Sequence, residues 1–563
     1  MWRTTSSPTK RRSLHARWSQ KVENRLALFR LDCTLALLNL TVSGRVQERT
    51  YVTRRYLTEK TRGEAPMSAD GKHRQEFRRS LWEQNLTRTR FLRLAGTGLG
   101  LSITPSSLTF WRGVPAFAST SPLLSDGQYP IGLFWPPPPD QTTVERYQEI
   151  AAADFNFVIG GNGVTNDSTN PAALDAAAAC NLRFLLVDGR LRNTIHNSTA
   201  AASTSVQKTQ EASIMQSLLT RANTGSTHRA TISATSADSR EDVRLRILRL
   251  MELYGGYPSL AGLSLYDEPS RELFGIVGYA KEVLQGLAAE QLPYVNIWPS
   301  YASLSALGTS SYEEYLSLYL SEVNPPLLSF DHYPLLSGMQ ITANYFYNWA
   351  LIRRYSLQAG IPSWAYIQSA EFGGSGTGIS YRRSPNAAEI RWQINVSLAY
   401  GAKGVQYFTY WTPISTGFVE SLVSRDGVLT PLYTYAKRAN NRLKVVGKVL
   451  LPLTSESVVH ANENPLPKGA RAFKADGYIK SVSGSSVILG RFRDPAGGTE
   501  RYLLVTNRSF ANAAQTVLSL SGSVSKVLEL DNQTGAFVSV AQQGSIPLSI
   551  APGGARLYLL RNN

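Results

Sequence analysis

The chain is poor in cysteine and histidine, with two of the former and six of the latter in 563 residues. Cys33 falls in a basic leader, so a processed form would keep Cys180 alone. That excludes an intramolecular disulfide and a cysteine metal cluster. Cys180 ends an alanine run and reads as a small buried hydrophobe on a helix. The histidines are scattered, with no His-x-x-His or His/Asp grouping, so no catalytic metal is expected. The run Gly160-Gly161-Asn162-Gly163 holds no G-x-G-x-x-G frame, so no dinucleotide cofactor is expected either. Internal repeats are absent, and no apolar run is long enough for a membrane span.

What is present is ordinary globular material, 43% hydrophobic and 18% charged, enough to bury a large core. The formal net charge of +17 is unevenly spread. Residues 1–95 hold 21 Lys and Arg against 8 Asp and Glu, and the rest of the chain carries only +4. A nucleic-acid binder keeps its cations on the folded domain, so this distribution argues against that class.

The leader reads as an export signal. Arginines at 88, 90 and 93 precede the apolar stretch Leu94–Leu101, and Ala116-Phe117-Ala118 offers a small-residue cleavage site. The run Thr87–Arg93 resembles a twin-arginine signal with Thr89 between the arginines. Met67 gives a basic region of sensible length before that signal, so residues 1–66 read as an upstream extension from a misplaced start or, alternatively, as a genuine cytoplasmic anchor segment. Residues 1–118 are therefore set apart from the fold, and the mature protein is expected outside the cytoplasm.

From residue 129 short apolar or aromatic runs alternate with helical stretches. Strands are predicted at Ile131–Trp135, Phe155–Gly160, Arg183–Val187, Leu260–Tyr266, Tyr294–Trp298, Leu327–Phe330, Ser363–Gln368 and Gly404–Tyr410. Helices are predicted at Thr142–Ala153, Asn170–Cys180, Arg240–Tyr254, Arg271–Glu290, Ser311–Val323, Thr342–Ala359, Asn386–Tyr400 and Leu432–Val446. Eight β–α units in order predict a closed (β/α)8 TIM barrel over 126–446. Residues 193–238, rich in Ser, Thr and Ala, read as a long loop or small helical excursion. Beyond 447, runs such as Val487–Phe492, Arg501–Asn507, Thr516–Ser519, Lys526–Leu530, Phe537–Val540 and Ala555–Leu560 predict an antiparallel β-sandwich.

Barrel chemistry collects at the C-terminal ends of the strands. In order, those ends carry Trp135, Asn162, Asp188 with Arg190, Asp267-Glu268-Pro269, Trp298 with Tyr301, Asp331-His332-Tyr333, Gln368 with Glu371, and Tyr410-Trp411. Carboxylates placed there are costly to desolvate unless used or paired. Paired carboxylates with aromatic platforms are what glycoside hydrolysis requires, one acid protonating the leaving oxygen and a second carboxylate attacking or activating water.

Asp267-Glu268-Pro269 at the end of the fourth unit resembles the Asn-Glu-Pro of the "4/7" barrel superfamily of retaining glycoside hydrolases. The resemblance covers about residues 128–445. It implies Glu268 as general acid/base, a carboxylate on the seventh strand as nucleophile, and Asp267 in place of the Asn that binds a sugar hydroxyl. Glu371 is the seventh-strand candidate. It lies three residues beyond the apolar run, and if Gln368 holds that position, Asp331 becomes the second carboxylate. Trp135, Trp298, Tyr301, Tyr333, Tyr410 and Trp411 are candidate sugar platforms. Asn162, Asp188, Arg190, His332 and Gln368 are candidate polar ligands, and Arg190 is also a candidate ion-pair partner for Asp267. A non-catalytic carbohydrate-binding barrel that has lost its nucleophile is the alternative. A barrel enzyme of another class, such as a sugar lyase or deacetylase, is a third reading.

Overall fold

The computed structural model describes residues 121–200, 236–374, 377, 379–540 and 544–562. The leader, its export signal and most of the Ser/Thr-rich segment lie outside the described residues. Eight parallel strands close into a barrel. They are β1 (Ile131–Phe134), β2 (Phe157–Ile159), β3 (Arg183–Val187), β4 (Leu260–Asp267), β5 (Leu292–Ile297), β6 (Leu328–Phe330), β7 (Ser363–Gln368) and β10 (Gly404–Phe408), with β10 pairing β1 to close the ring. Between β7 and β10 a hairpin of β8 (Glu371–Gly374) and β9 (Ile379–Arg382) stands outside the barrel and pairs with β11 (Phe418–Glu420).

Helices return the chain between strands, as parallel pairing demands. They are α1 (Val144–Ala152), α2 (Asn170–Ala179), α3 (Gly189–Ala200), α4 (Ser236–Tyr254), α5 (Phe274–Leu287), α6 (Tyr312–Glu322), α7 (Tyr345–Ala359), α8 (Ala387–Ala399) and α9 (Pro431–Leu450). Local signals set their ends. The Thr143 side chain accepts from Arg146 N and caps α1, while the Thr142 hydroxyl donates to the carbonyls of Pro137 and Pro138. Asn386 and Glu389 form a capping box on α8. Cys180 is the C-cap of α2 and only half-buried, not a core residue, because the helix ends at Ala179. The segment from 193, read as a long loop or small helical excursion, is helical as far as Ala200, in α3.

The barrel interior is filled by aromatic rings set against glycines. The Phe157 and Trp364 rings lie 5.2 Å apart, and Tyr294 and Trp364 6.4 Å apart. Gly132 and Gly404 make the room, since a Cβ on either would fall 2.1 Å from Phe157 Cζ or 2.5 Å from Trp364 Nε1. Large and small residues thus alternate across facing strands at interior packing density.

After α9 the chain forms two antiparallel sheets. One has the order β12-β14-β15-β20-β17-β18 and the other β13-β16-β19. Their strands are β12 (Thr454–Ala461), β13 (Ile479–Gly484), β14 (Val487–Arg493), β15 (Arg501–Asn507), β16 (Ala514–Leu520), β17 (Val524–Leu530), β18 (Phe537–Ser539), β19 (Ser545–Ile550) and β20 (Ala555–Asn562). They enclose a second core that includes Val487, Leu503, Leu518, Ile546 and Tyr558. The pattern beyond 447 missed β12, β13 and β19. Pro547 in β19 argues against a central strand, and the structure places it in a strand paired on one side only. The barrel grips these sheets through α8 and α9. Trp392 Nε1 donates to Arg508 O at 3.0 Å, Asn395 Nδ2 to Gly553 O at 2.8 Å, and Arg442 Nη2 to Ala555 O at 2.8 Å.

Candidate active site at the barrel mouth

The site is built on β4, β5 and β6. In a strand, alternate side chains share a face. Tyr294 and Asn296 of β5 therefore point the same way, as do Ser329 and Asp331 on and just after β6. On β4 the register against β5 shifts between Ser264 and Tyr266, so Ser264 pairs with Tyr294 but Asp267 pairs with Asn296. The extra residue of this bulge resets which side chains face the barrel axis at the strand's end. Glu268 follows with φ of 53°, a left-handed conformation that costs a side-chain-bearing residue of order 1 kcal/mol and redirects its carboxyl. Its N–H donates to Asn296 O at 2.8 Å, which ties the turn to β5.

A buried hydrogen-bond ladder rises through the barrel to this point. Gln406 Nε2 donates to Tyr294 Oη at 2.8 Å and to Ser329 Oγ at 2.6 Å. Ser329 Oγ donates to Asn296 Oδ1 at 3.1 Å, and Asn296 Nδ2 donates to Asp331 Oδ1 at 2.8 Å. The Asn296 amide also supports Asp267. Asp331 in turn faces Glu268 at hydrogen-bonding range. Asp331 and Asp267 thus share one amide, and the Glu268 carboxyl joins them through Asp331.

Crowding and burial push all three upward. Asp267 rises to about 6 through burial, against the pull of the Arg192 guanidinium. Asp331 rises to about 7 through burial and the Asp267 charge. Glu268 rises well above the carboxylate range through burial, then the charges of Asp331 and Asp267. Near neutral pH Glu268 therefore holds a proton, donated toward Asp331, and Asp267 is largely ionised. A buried carboxylic acid beside a carboxylate is the pairing that general acid catalysis uses.

Other residues named from the sequence fall into three groups. Tyr333 and Tyr301 lie beside the Asp331 and Glu268 carboxyls, and Trp298 directly follows β5 nearby in sequence. The Tyr333 hydroxyl is buried with no hydrogen-bond partner among the described residues. Its ring packs on Phe408 and Phe372 at 4.8 and 5.3 Å, leaving the hydroxyl rather than a ring face for a ligand. Tyr301 is 40% exposed and stands edge-on to His332 at 4.8 Å with Arg382 5.7 Å over its ring. Trp298 is half-buried with its Nε1 unpartnered among the described residues.

A second group serves the scaffold. His332 is buried, which lowers it to about 3 and keeps it neutral. Asn348 Oδ1 accepts from Ser300 N and from His332 Nδ1, and His332 Nε2 then accepts from Thr342 Oγ1 at 2.7 Å. Asp188 caps α3 through Leu191 N and accepts from Arg246 Nε at 2.9 Å. Arg190 pairs with Asp167 at 2.5 Å, not with Asp267. Asn162 Nδ2 donates to Pro136 O at 2.8 Å. As sugar platforms, Trp135, Tyr410 and Trp411 are corrected to core, exposed by 4%, 0% and 3%. Strand β10 ends at Phe408, so these rings turn back onto the packed wall of Arg146, Phe134 and Phe155.

The third group concerns the seventh strand. Gln368 ends β7 fully buried. Its Oε1 accepts from Leu335 N at 2.9 Å and its Nε2 donates to Arg383 O at 2.8 Å, so its amide is consumed in holding loops. Glu371 opens β8 on the outer hairpin, where it accepts from Tyr381 Oη at 3.0 Å. The carboxyl that faces Glu268 is Asp331, not Glu371.

Two site residues escaped the sequence reading. Asn296 is signalled by its alternation with Tyr294 inside an otherwise apolar strand. Arg192 carried no signal, because it falls between the end of the third strand unit and the segment from 193, in no predicted element. Its guanidinium lies 5.7 Å over the Tyr266 ring, and it lines a cavity of about 20 Å³ with Asp267, Tyr294, Tyr366 and Phe134.

No protein-family model matches the chain, and no curated protein matches it. Among solved structures, it is similar to a β-galactosidase from Bacillus circulans sp. alkalophilus, with a TM-score of 0.50 and 9% identity over 77% of this chain and 99% of that one. A β-galactosidase from the psychrophilic Marinomonas ef1 gives 0.41 and 12% over 57% of this chain, which spans 62% of that structure's length. A GH27 β-L-arabinopyranosidase from Geobacillus stearothermophilus gives 0.42 and 10%, over 78% and 98%. At these identities the likeness is one of fold: the chain is a (β/α)8 barrel followed by antiparallel sheets, a fold that a β-galactosidase shares.

Proposed function

We propose that this is an exported glycoside hydrolase-like enzyme that cleaves O-glycosidic bonds of an oligo- or polysaccharide, with Glu268 as general acid and Asp331 as second carboxylate. The observation that carries the reading is the Glu268–Asp331 pair at the barrel mouth. One member is held protonated by burial and by its neighbour's charge. Glu268 would pass its proton to the leaving glycosidic oxygen. Water adding to the anomeric carbon would lose its proton to the carboxylate beside it.

In a hydrogen-bonded pair the carboxyls sit closer than the about 5–5.5 Å of retaining enzymes or the about 6.5–9.5 Å of inverting ones. A substrate oxygen therefore has to replace Asp331 as the acceptor of the Glu268 proton. The hydroxyl of Tyr333, unpartnered among the described residues, and the exposed ring of Tyr301 supply a donor and a platform next to that position.

A second reading has its own support. Gln368 stands at the end of β7 with its amide spent on the scaffold, so a carbohydrate-binding barrel without a seventh-strand nucleophile fits that strand as well. A panel of aryl-glycosides, assayed with wild type and Glu268→Gln, separates the two. Hydrolysis lost in the variant supports the enzyme. No hydrolysis, with sugars raising the melting temperature, supports the binder. Full activity in Glu268→Gln rejects the mechanism. Export rests on the leader's sequence pattern, and N-terminal sequencing of the processed protein tests it.

A further inference from the structure

Near the carboxyl cluster most cations are already committed. Arg246 is bound to Asp188 and Asp167, and Arg190 to Asp167. Arg382 gives its Nε to Tyr333 O at 2.7 Å and its Nη1 to the carbonyls of Ser380 and Tyr381. Arg192 is different. It projects from the second turn of α3, its Nε is shielded from solvent, and that atom has no hydrogen-bond partner among the described residues. A buried donor left unbonded calls for a reason. The guanidinium is held by its seat over Tyr266 and by the wall of the cavity that Asp267 also lines. Its Nε donor is thus not consumed, while its charge lies within reach of Asp267.

Charge at close range in a poorly solvated site is screened little. Asp267 is faced by Arg192 from α3, by Asn296 and Tyr294 from β5, by Asp331 after β6 and by Tyr366 from β7, with Glu268 beside it on its own strand. Of these, Arg192 alone is cationic. Arg192 shares that cavity with Asp267, where its pull is the largest effect opposing burial, whereas at Glu268 it ranks behind the charges of Asp331 and Asp267.

We propose that Arg192 is the counter-cation of the carboxyl cluster and acts through Asp267 as a positioning residue for the proton carried by Glu268 and Asp331. With the cation in place Asp267 keeps its negative charge, and that charge disfavours ionisation of the other two. Without it Asp267 takes up a proton itself, and the proton on Glu268 is no longer specified. This deepens the hydrolase reading, but its test uses no sugar and so stands or falls separately.

The experiment is a proton-uptake titration of the folded protein, paired with infrared detection of protonated carboxyls, on wild type, Arg192→Gln and Arg192→Lys. If Arg192→Gln does not fold, Arg192→Met, whose apolar stem keeps the packing on Tyr266, replaces it. The expected result is additional proton binding near neutral pH in the uncharged variant, less than one full proton because a neutral Asp267 lets Asp331 ionise more readily, restored to the wild-type curve by Lys. Adding Asp267→Asn to the uncharged variant abolishes the gain. An unchanged titration overturns the proposal. So does a gain that Lys fails to reverse, since shape and not charge would then be responsible.

Discussion

Asn296 Nδ2 donates to Asp331 Oδ1 at 2.8 Å while its Oδ1 accepts from Ser329 Oγ at 3.1 Å, so one amide joins the barrel's interior ladder to the carboxyls at its mouth. This is the amide orientation that fits, because a flipped Asn would set its carbonyl oxygen against the Asp331 carboxylate. Replacing Asn296 by Leu leaves a buried hydroxyl and two carboxyls short of a partner. The expected loss is about 1–3 kcal/mol of stability, read from denaturant midpoints. Asn296 also lowers Asp331 and Asp267 by supporting their charged forms. The variant should therefore titrate at higher pH than wild type, which a cavity alone would not cause.

The carboxyl cluster makes stability depend on pH with an unusual sign. A group whose pKa is raised on folding contributes stability below its unfolded value and loses it as pH rises through its folded value. Asp267, at about 6, and Asp331, at about 7, are both raised from the ordinary aspartate range. Thermal stability should therefore fall as pH climbs from near 4 through 7. Asp331→Asn should flatten that fall, because the amide cannot ionise. Melting temperature measured across this range checks it, and a stability that rises through the same window would contradict the burial of these groups.

The two possible second carboxylates separate cleanly. Asp331 lies against Glu268, whereas Glu371 is engaged with Tyr381 on the outer hairpin. On any glycoside the protein cleaves, Asp331→Asn should lower kcat by about 10²–10⁴. Glu371→Gln should leave kcat within about twofold, as for an exposed pair of small energetic weight. The reverse outcome would restore the seventh strand as the source of the nucleophile.

These comparisons mark how far the sequence was legible. Short continuous apolar runs and their helical partners located each of the eight barrel strands, because burial on both faces leaves an apolar signature. Strand ends were less legible. β10 stops at Phe408, two residues before Tyr410, and so Tyr410 and Trp411 belong to the packed wall rather than to the mouth. Glu268 and Asp331 were each visible as acids after apolar runs. Their meeting was not, because it depends on a bulge in β4 and a left-handed residue that no local pattern announces. Arg192 was invisible for another reason. The start of α3 at Gly189 follows the third strand directly, and no helix is predicted there.

The left-handed turn at Glu268 yields a prediction that separates stability from chemistry. With φ at 53° the residue occupies a region that glycine enters without a Cβ clash. Glu268→Gly and Glu268→Ala both delete the acid and both relieve the crowding of like charges with Asp331 and Asp267. They differ in the backbone, where alanine keeps the clash. Glycine should therefore be the more stable variant by about 1 kcal/mol, the size of the left-handed penalty. Both should be equally inactive. Melting curves of the pair, taken near pH 7 where the neighbouring charges matter most, provide the measurement. Equal stabilities would mean that the turn relaxes in the variants, and that the side chain of Glu268, through its contact with Asp331, is what holds it.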